Sequence, residues 1–181
     1  MLARGRWAVL GLMLHHGVDA AHFLHDTHRL PGLEPTVRGH RHDFAALARL
    51  PGRKFILTNA PRHYALRVLG ALGIGHLFDG VFAIEDMAMF GQLRPKPDAR
   101  MLRRMAVRLR VPPGRCVLVE DTLVHQKAAR RVGMRTVWIR TDESVSRAAG
   151  LDLDHIHHQT DDLATWLADW VAERNTTEKK A

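Results

Sequence analysis

The chain has 181 residues, 46% hydrophobic and 25% charged, an ordinary globular profile with length for one core and a small appendage. Net charge is +8 with 13 further histidines, which suits anionic ligands, but the cations are mostly Arg scattered through predicted helices. No stretch approaches the ~20 apolar residues of a membrane span. Cys116 is the single cysteine, which excludes an intramolecular disulfide and predicts a reducing, cytoplasmic setting.

Arg4 and Arg6 precede the apolar run 7–14, and Val18-Asp19-Ala20 has the look of a cleavage site, the outline of a short signal peptide. The preferred reading is an amphipathic helix ending at Gly17. Trp7, Leu10 and Leu14, then Ala21 and Leu24, recur at helical spacing, so residues 1–30 are predicted helical. Pro31, Gly32 and Pro35 mark a linker, and residues 1–40 form a small helical segment ahead of the main domain.

From residue 41 onward helices and strands alternate, and this domain runs to 174. A helix over 44–50 closes at Pro51-Gly52, and 54–58 is a strand. Pro61 opens a helix with Tyr64, Ala65, Val68, Leu69 and Leu72 on one face, stopped by Gly73. Residues 81–84 form a second strand. Pro97 and Asp98 begin a helix with Met101, Leu102, Met105 and Leu109 inward. Residues 116–119 form a third strand, 123–132 a helix capped by Gly133, and 136–139 a fourth strand. A short edge strand is expected over 155–157. The last helix spans 162–173, with Leu163, Trp166, Leu167 and Trp170 on one side, and residues 175–181 are a polar, disordered tail. Alternation at this spacing predicts an α/β, Rossmann-like, doubly wound parallel sheet, which binds ligands at the C-terminal ends of its strands.

Three features would converge on that edge. Thr58 ends a strand just before a helix start, where a hydroxyl and free amides can contact a phosphate oxygen; the simpler reading is a helix cap. Lys96, between two prolines, presents a stiffly held ammonium suited to a phosphoryl group, although a loop lysine is ordinarily only solvated. Glu120 and Asp121 end an apolar strand; paired acids there repel unless a hard cation such as Mg²⁺ relieves them, and Asp121 could equally cap the next helix. Cys116, in an apolar strand, reads as a structural thiol. His22, His25 and His28, with His15-His16, lack the acid or Cys that would complete a tetrahedral set and read as solvated. Ser144 and Ser146, the only serines, lie in no nucleophile-elbow motif.

In this order the residues resemble the haloacid dehalogenase superfamily of phosphohydrolases. Ile56-Leu57-Thr58-Asn59 is similar to its second motif, Lys96-Pro97-Asp98 to its third and Val119-Glu120-Asp121-Thr122 to its fourth. Connecting segments at 78–82 and 133–138 also match, so the likeness covers about residues 41–160. The pyrimidine 5′-nucleotidase-like branch is the most similar, with residues 1–40 as the remnant of a helical cap and its linker.

The resemblance implies Mg²⁺-dependent hydrolysis of a small phosphorylated metabolite, possibly a nucleotide, with no specific nucleic-acid or membrane partner. Thr58 and the Asn59 amide would hold the phosphoryl group and Lys96 would neutralise it, these being the catalytic and phosphate-binding residues. Glu120 and Asp121 would hold Mg²⁺. The family's first motif, Asp-x-Asp-x-Thr, supplies the nucleophile, and no apolar strand here ends in it. Asp26-Thr27 lacks the paired Asp and falls in a helical run. Without that strand, central in the family's sheet, the neighbouring strands would expose unpaired edges or close on each other, and the chain is expected to be inactive and poorly stable. A start placed too far downstream or a truncated chain is the expected explanation; the alternative is a catalytically dead relative that binds a phospho-ligand or a protein. His125 also departs from the pattern, since the resemblance implies Asn or Asp four residues after Asp121. A nucleic-acid-binding role driven by charge lacks interleaved aromatics.

Overall fold

The computed structural model describes residues 20–178. The expected helix ending at Gly17, the signal-peptide outline and His15-His16 lie outside the described residues. In chain order the elements are α1 (Ala20–Thr27), α2 (Leu33–Thr36), α3 (Arg41–Arg49), β1 (Phe55–Leu57), α4 (Arg62–Leu72), β2 (Gly80–Phe82), β3 (Ala88–Met89) and β4 (Gln92–Leu93). There follow α5 (Ala99–Leu109), β5 (Val117–Glu120), α6 (Leu123–Arg131), β6 (Arg135–Ile139), α7 (Asp142–Ala148), β7 (His158–Thr160) and α8 (Leu163–Glu178). They form two compact units, Met1–Arg38 with Phe55–Asp86, and Gly39–Lys54 with Met87–Ala181.

In the first unit β1 and β2 pair in parallel, Ile56 opposite Val81. A parallel pair needs a crossover, and α4 supplies it. Ala65 and Leu69, one turn apart, are the buried residues of α4. Gly73 ends it in the left-handed region at φ 69°, as the glycine there predicts. The segment before α3 meets α4 at two side chains: Arg67 donates from Nε to Glu34 Oε1 at 2.7 Å and to the carbonyls of Arg29 and Leu30, each at 3.2 Å, and Tyr64 meets the His28 ring edge-on at 5.1 Å. The predicted linker contains the short helix α2, and Glu34 belongs to it.

In the second unit β5, β6 and β7 form a parallel sheet in sequence order, with Val119 opposite Val137 and Val137 opposite His158. The edge strand expected at 155–157 forms three residues later. Helix α5 buries Met101, Leu102, Met105 and Ala106 and leaves its Arg residues exposed. With Ala128, Ala129, Val137, Trp138 and Leu167 these residues make the unit's core. Helix α8 packs on α3 and continues to Glu178, beyond the expected end at 173 and over the first residues of the predicted tail. The hairpin β3–β4 and helix α7 are additions to the predicted elements.

Among the described residues β1 pairs only with β2, and β5 only with β6. The two parallel sheets are therefore separate, each with an open edge at the strand that precedes a candidate site residue. Val117 and Val119 of β5 are 39% and 40% exposed, where a strand inside a doubly wound sheet is covered on both faces. The expected α/β design, parallel strands joined by crossover helices, is present in both units.

Asp98 links α5 to its preceding loop. Its Oδ1 accepts the amides of Arg100 at 2.7 Å and Met101 at 3.2 Å, and its Oδ2 accepts Arg94 Nη1 at 3.1 Å. Partial burial alone would raise the Asp98 carboxyl; the Arg94 bond and the two capping amides outweigh it and lower the pKa. Asp98→Ala is expected to lose about 1 kcal/mol in urea unfolding and Asp98→Asn, which still caps, less. Because the folded pKa is depressed, the Asp98 contribution is complete above its unfolded value near 3.8 and drains as pH falls through the folded one. The wild-type advantage over Asp98→Asn should therefore shrink in acid.

Candidate functional site

Strand β5 carries the site at its C-terminal end. Its residues alternate between a more covered face, Leu118 and Glu120, and the open one of Val117 and Val119. Glu120, the last residue, has a side chain only 10% exposed, so its carboxylate needs partners to remain charged. Two nitrogens supply them. Lys96 Nζ donates to Glu120 Oε2 at 2.5 Å, from a side chain that is itself 11% exposed. His125, buried in the first turn of α6, places Nδ1 3.2 Å from Glu120 Oε1.

Burial by itself would push the Glu120 carboxyl up. The bond with His125, the charge of Lys96 and a bond shared with Asp121 overcome it and hold Glu120 well below the ordinary carboxylate range. Asp121 moves the other way. Its shared bond with Glu120, then partial burial, then the Glu120 charge raise its pKa. The adjacent acids thus differ in kind: Glu120 is an inward, firmly ionised counter-ion, whereas Asp121 is exposed. Thr122 Oγ1 donates to Asp121 Oδ1 at 3.1 Å.

The site is held from behind by residues that the motif reading passes over. Gln126, fully buried, donates its Nε2 to the carbonyls of Glu120 at 2.7 Å and Val137 at 2.6 Å, bracing the ends of β5 and β6. Trp138 Nε1 donates to the Asp121 carbonyl at 3.0 Å. Gln126 lies on the buried face of α6 together with His125, Ala128 and Ala129. Lys96 stands in a turn closed by the Asp98 amide to the Pro95 carbonyl at 2.9 Å, just ahead of the capped start of α5.

Both oxygens of Glu120 face nitrogens, Lys96 Nζ at 2.5 Å and His125 Nδ1 at 3.2 Å, so the two expected metal ligands are unequal. The hard oxygen of Asp121 suits Mg²⁺, while Glu120 serves Lys96 and His125. Cys116 lies half-buried just ahead of β5, and burial raises its thiol pKa, the mark of a structural cysteine.

Thr58 and Asn59 belong to the first unit. The Thr58 amide extends the β1–β2 ladder by donating to the Phe82 carbonyl at 2.9 Å, and its hydroxyl accepts the Ala60 amide at 3.0 Å. The hydroxyl therefore closes a turn between strand and helix. The start of α4 is also not a row of free amides. The Arg62 amide donates to Glu85 at 3.0 and 3.2 Å, an acidic cap that sequence reading did not single out.

A family model described as haloacid dehalogenase-like hydrolase matches residues 22–133. A haloacid dehalogenase-like protein of unknown function from Agrobacterium tumefaciens superposes with a TM-score of 0.56 at 22% identity, over 72% of this chain and 59% of that one. CbbY from Rhodobacter sphaeroides, solved with phosphate, gives 0.53 at 22% identity over 67% and 51%. L-2-haloacid dehalogenase from Xanthobacter autotrophicus, with chloropropionic acid covalently bound, gives 0.54 at 16% identity over 70% and 57%. The chain thus spans between half and three-fifths of these proteins' lengths. These similarities establish the fold, and the model matched across more than half of the sequence establishes the lineage: the chain belongs to the haloacid dehalogenase-like hydrolases.

Proposed function

We propose that this chain carries the phosphate- and metal-binding part of a Mg²⁺-dependent phosphomonoester hydrolase, and that the nucleophile-bearing strand is not among its residues. The buried Lys96–Glu120 pair beside the exposed Asp121 carries this reading. A lysine anchored at a strand end by a permanently ionised partner is a fixed positive charge, and phosphoryl transfer depends on such charges held in place before reaction. Asp121 would hold Mg²⁺, which supplies charge neutralisation at the phosphoryl oxygens. Glu120 and His125 orient Lys96, and Thr58 with the Asn59 amide contacts the phosphoryl group. A small phosphorylated metabolite is the substrate class, with nucleotides favoured by the motif likeness; a neighbouring structure of CbbY holds xylulose-(1,5)bisphosphate.

The open edge of β5 among the described residues, with Val117 and Val119 exposed beside it, supports the second half of the proposal. The nucleophile-bearing strand would bring the Asp-x-Asp-x-Thr carboxylates into the reaction.

The purified chain is expected to show no Mg²⁺-dependent hydrolysis of p-nitrophenyl phosphate, and the same chain extended at its N-terminus by an apolar strand ending in Asp-x-Asp-x-Thr is expected to gain it. Turnover by the unextended chain that disappears in Asp121→Ala would overturn the reading.

Replacing Lys96 by Met leaves the Glu120 charge buried with one partner fewer. Breaking a buried pair in this way typically loses about 3–5 kcal/mol, whereas the double change Lys96→Met with Glu120→Leu should recover most of it. Urea unfolding of the three variants measures both, and a single-variant loss under roughly 1 kcal/mol would show the pair to be solvated.

A further inference from the structure

The second unit holds a group of metal-ligating side chains that phosphate chemistry does not use. His42 and Asp43 stand in the first turn of α3, and Asp162 immediately precedes α8, the helix packed against it. One ligand atom from each lies within 4.8 Å of the others.

Part of this arrangement has a local explanation. Asp162 caps α8: its Oδ1 accepts the Ala164 amide at 2.9 Å and its Oδ2 the Thr165 hydroxyl at 2.6 Å. Asp43 has no such explanation. Its side chain is only 24% exposed, and among the described residues its ion-pair partner is His42 Nε2, at 3.5 Å. Two carboxylates this close repel each other, and the partial positive ends of two helices, about half a charge each, offset that only in part. A bound cation would offset the remainder and draw the three groups together. An imidazole nitrogen with two carboxylate oxygens is a donor set for a borderline ion such as Zn²⁺, which binds both at about 2.0–2.2 Å, rather than for Mg²⁺, which prefers oxygens throughout.

We propose that His42, Asp43 and Asp162 form a Zn²⁺ site that clamps the start of α3 to the start of α8. Ligands at those bond lengths stand at most about 4.4 Å apart, so small side-chain adjustments close the site. Water completes the coordination on the exposed side. A protonated His42 pairing with the carboxylates is the rival account, and it gives Zn²⁺ no effect.

The test is calorimetric titration of Zn²⁺ into the full chain with Mg²⁺ in excess to occupy oxygen-only sites, alongside melting curves with and without Zn²⁺. The wild type is expected to take one Zn²⁺ that His42→Ala and Asp43→Asn do not, and to melt roughly 5–10 °C higher at a hundredfold excess over Kd. Asp162→Asn keeps the cap and is expected to weaken binding at least 10–100-fold, the range found for outer-shell partners. It remains informative if His42→Ala or Asp43→Asn fails to fold. The other histidines are common to every variant, so the difference isolates this site. Equal Zn²⁺ stoichiometry and affinity in all four proteins, or a wild-type melting point that Zn²⁺ leaves unmoved, would overturn the proposal. Neither readout requires turnover, so the result is independent of the hydrolase reading.

Discussion

A charged carboxylate at the covered end of β5 constrains everything around it. Glu120 is unstable there without compensation, and the compensation comes from two directions in sequence: Lys96 from the turn before α5, and His125 from the first turn of α6. Satisfying it fixes where that turn lies, how α6 leaves the strand and which way Lys96 faces. Gln126 then joins the Glu120 carbonyl to that of Val137, so the same point also braces β6. The ammonium of Lys96 is thus held in place by neutralising a buried carboxylate. Neighbouring acids acquire opposite tendencies because only one of them points inward.

How much of this could be read beforehand depended on whether the determining interaction was local. The stripe at Met101, Leu102 and Met105 placed α5, and Asp98 announced its start, because periodicity and capping act within a few residues. Gly73 stopped α4 for the same reason. Lys96 and the acid pair were legible through their order and strand context. The division of labour between Glu120 and Asp121 was not, since adjacency in sequence does not say which side chain the core covers. The Thr58 hydroxyl illustrates the converse: its commitment to the Ala60 amide is local, a turn bond and not the expected helix cap, since the helix N-cap is Pro61 without a side-chain bond.

The hairpin β3–β4 escaped notice because its two-residue turn is Phe90-Gly91, with φ of 52° and 72°, where Asn-Gly is the readable signal. Phe90 adopts a left-handed conformation poor for a bulky side chain and is 96% exposed. Helix α7 depends on a reciprocal cap between Thr141 and Ser144, too brief to stand out from a loop. The clamp residues His42, Asp43 and Asp162 could not have been grouped, because nothing in the sequence shows that α8 returns to α3.

The segment from β5 through α6 to β6 has a further consequence for the order of folding. Within residues 117–139 one strand, its crossover helix and the next strand pack on one another, while Lys96, the partner of Glu120, comes from outside the segment. Contacts this close in sequence involve small loop-closure entropies and form early. The element bearing Glu120 and Asp121 can therefore assemble before any strand arrives at its open edge. If the proposed nucleophile-bearing strand pairs at that edge, it would meet a formed template, and its docking, not nucleation of the sheet, would complete the assembly.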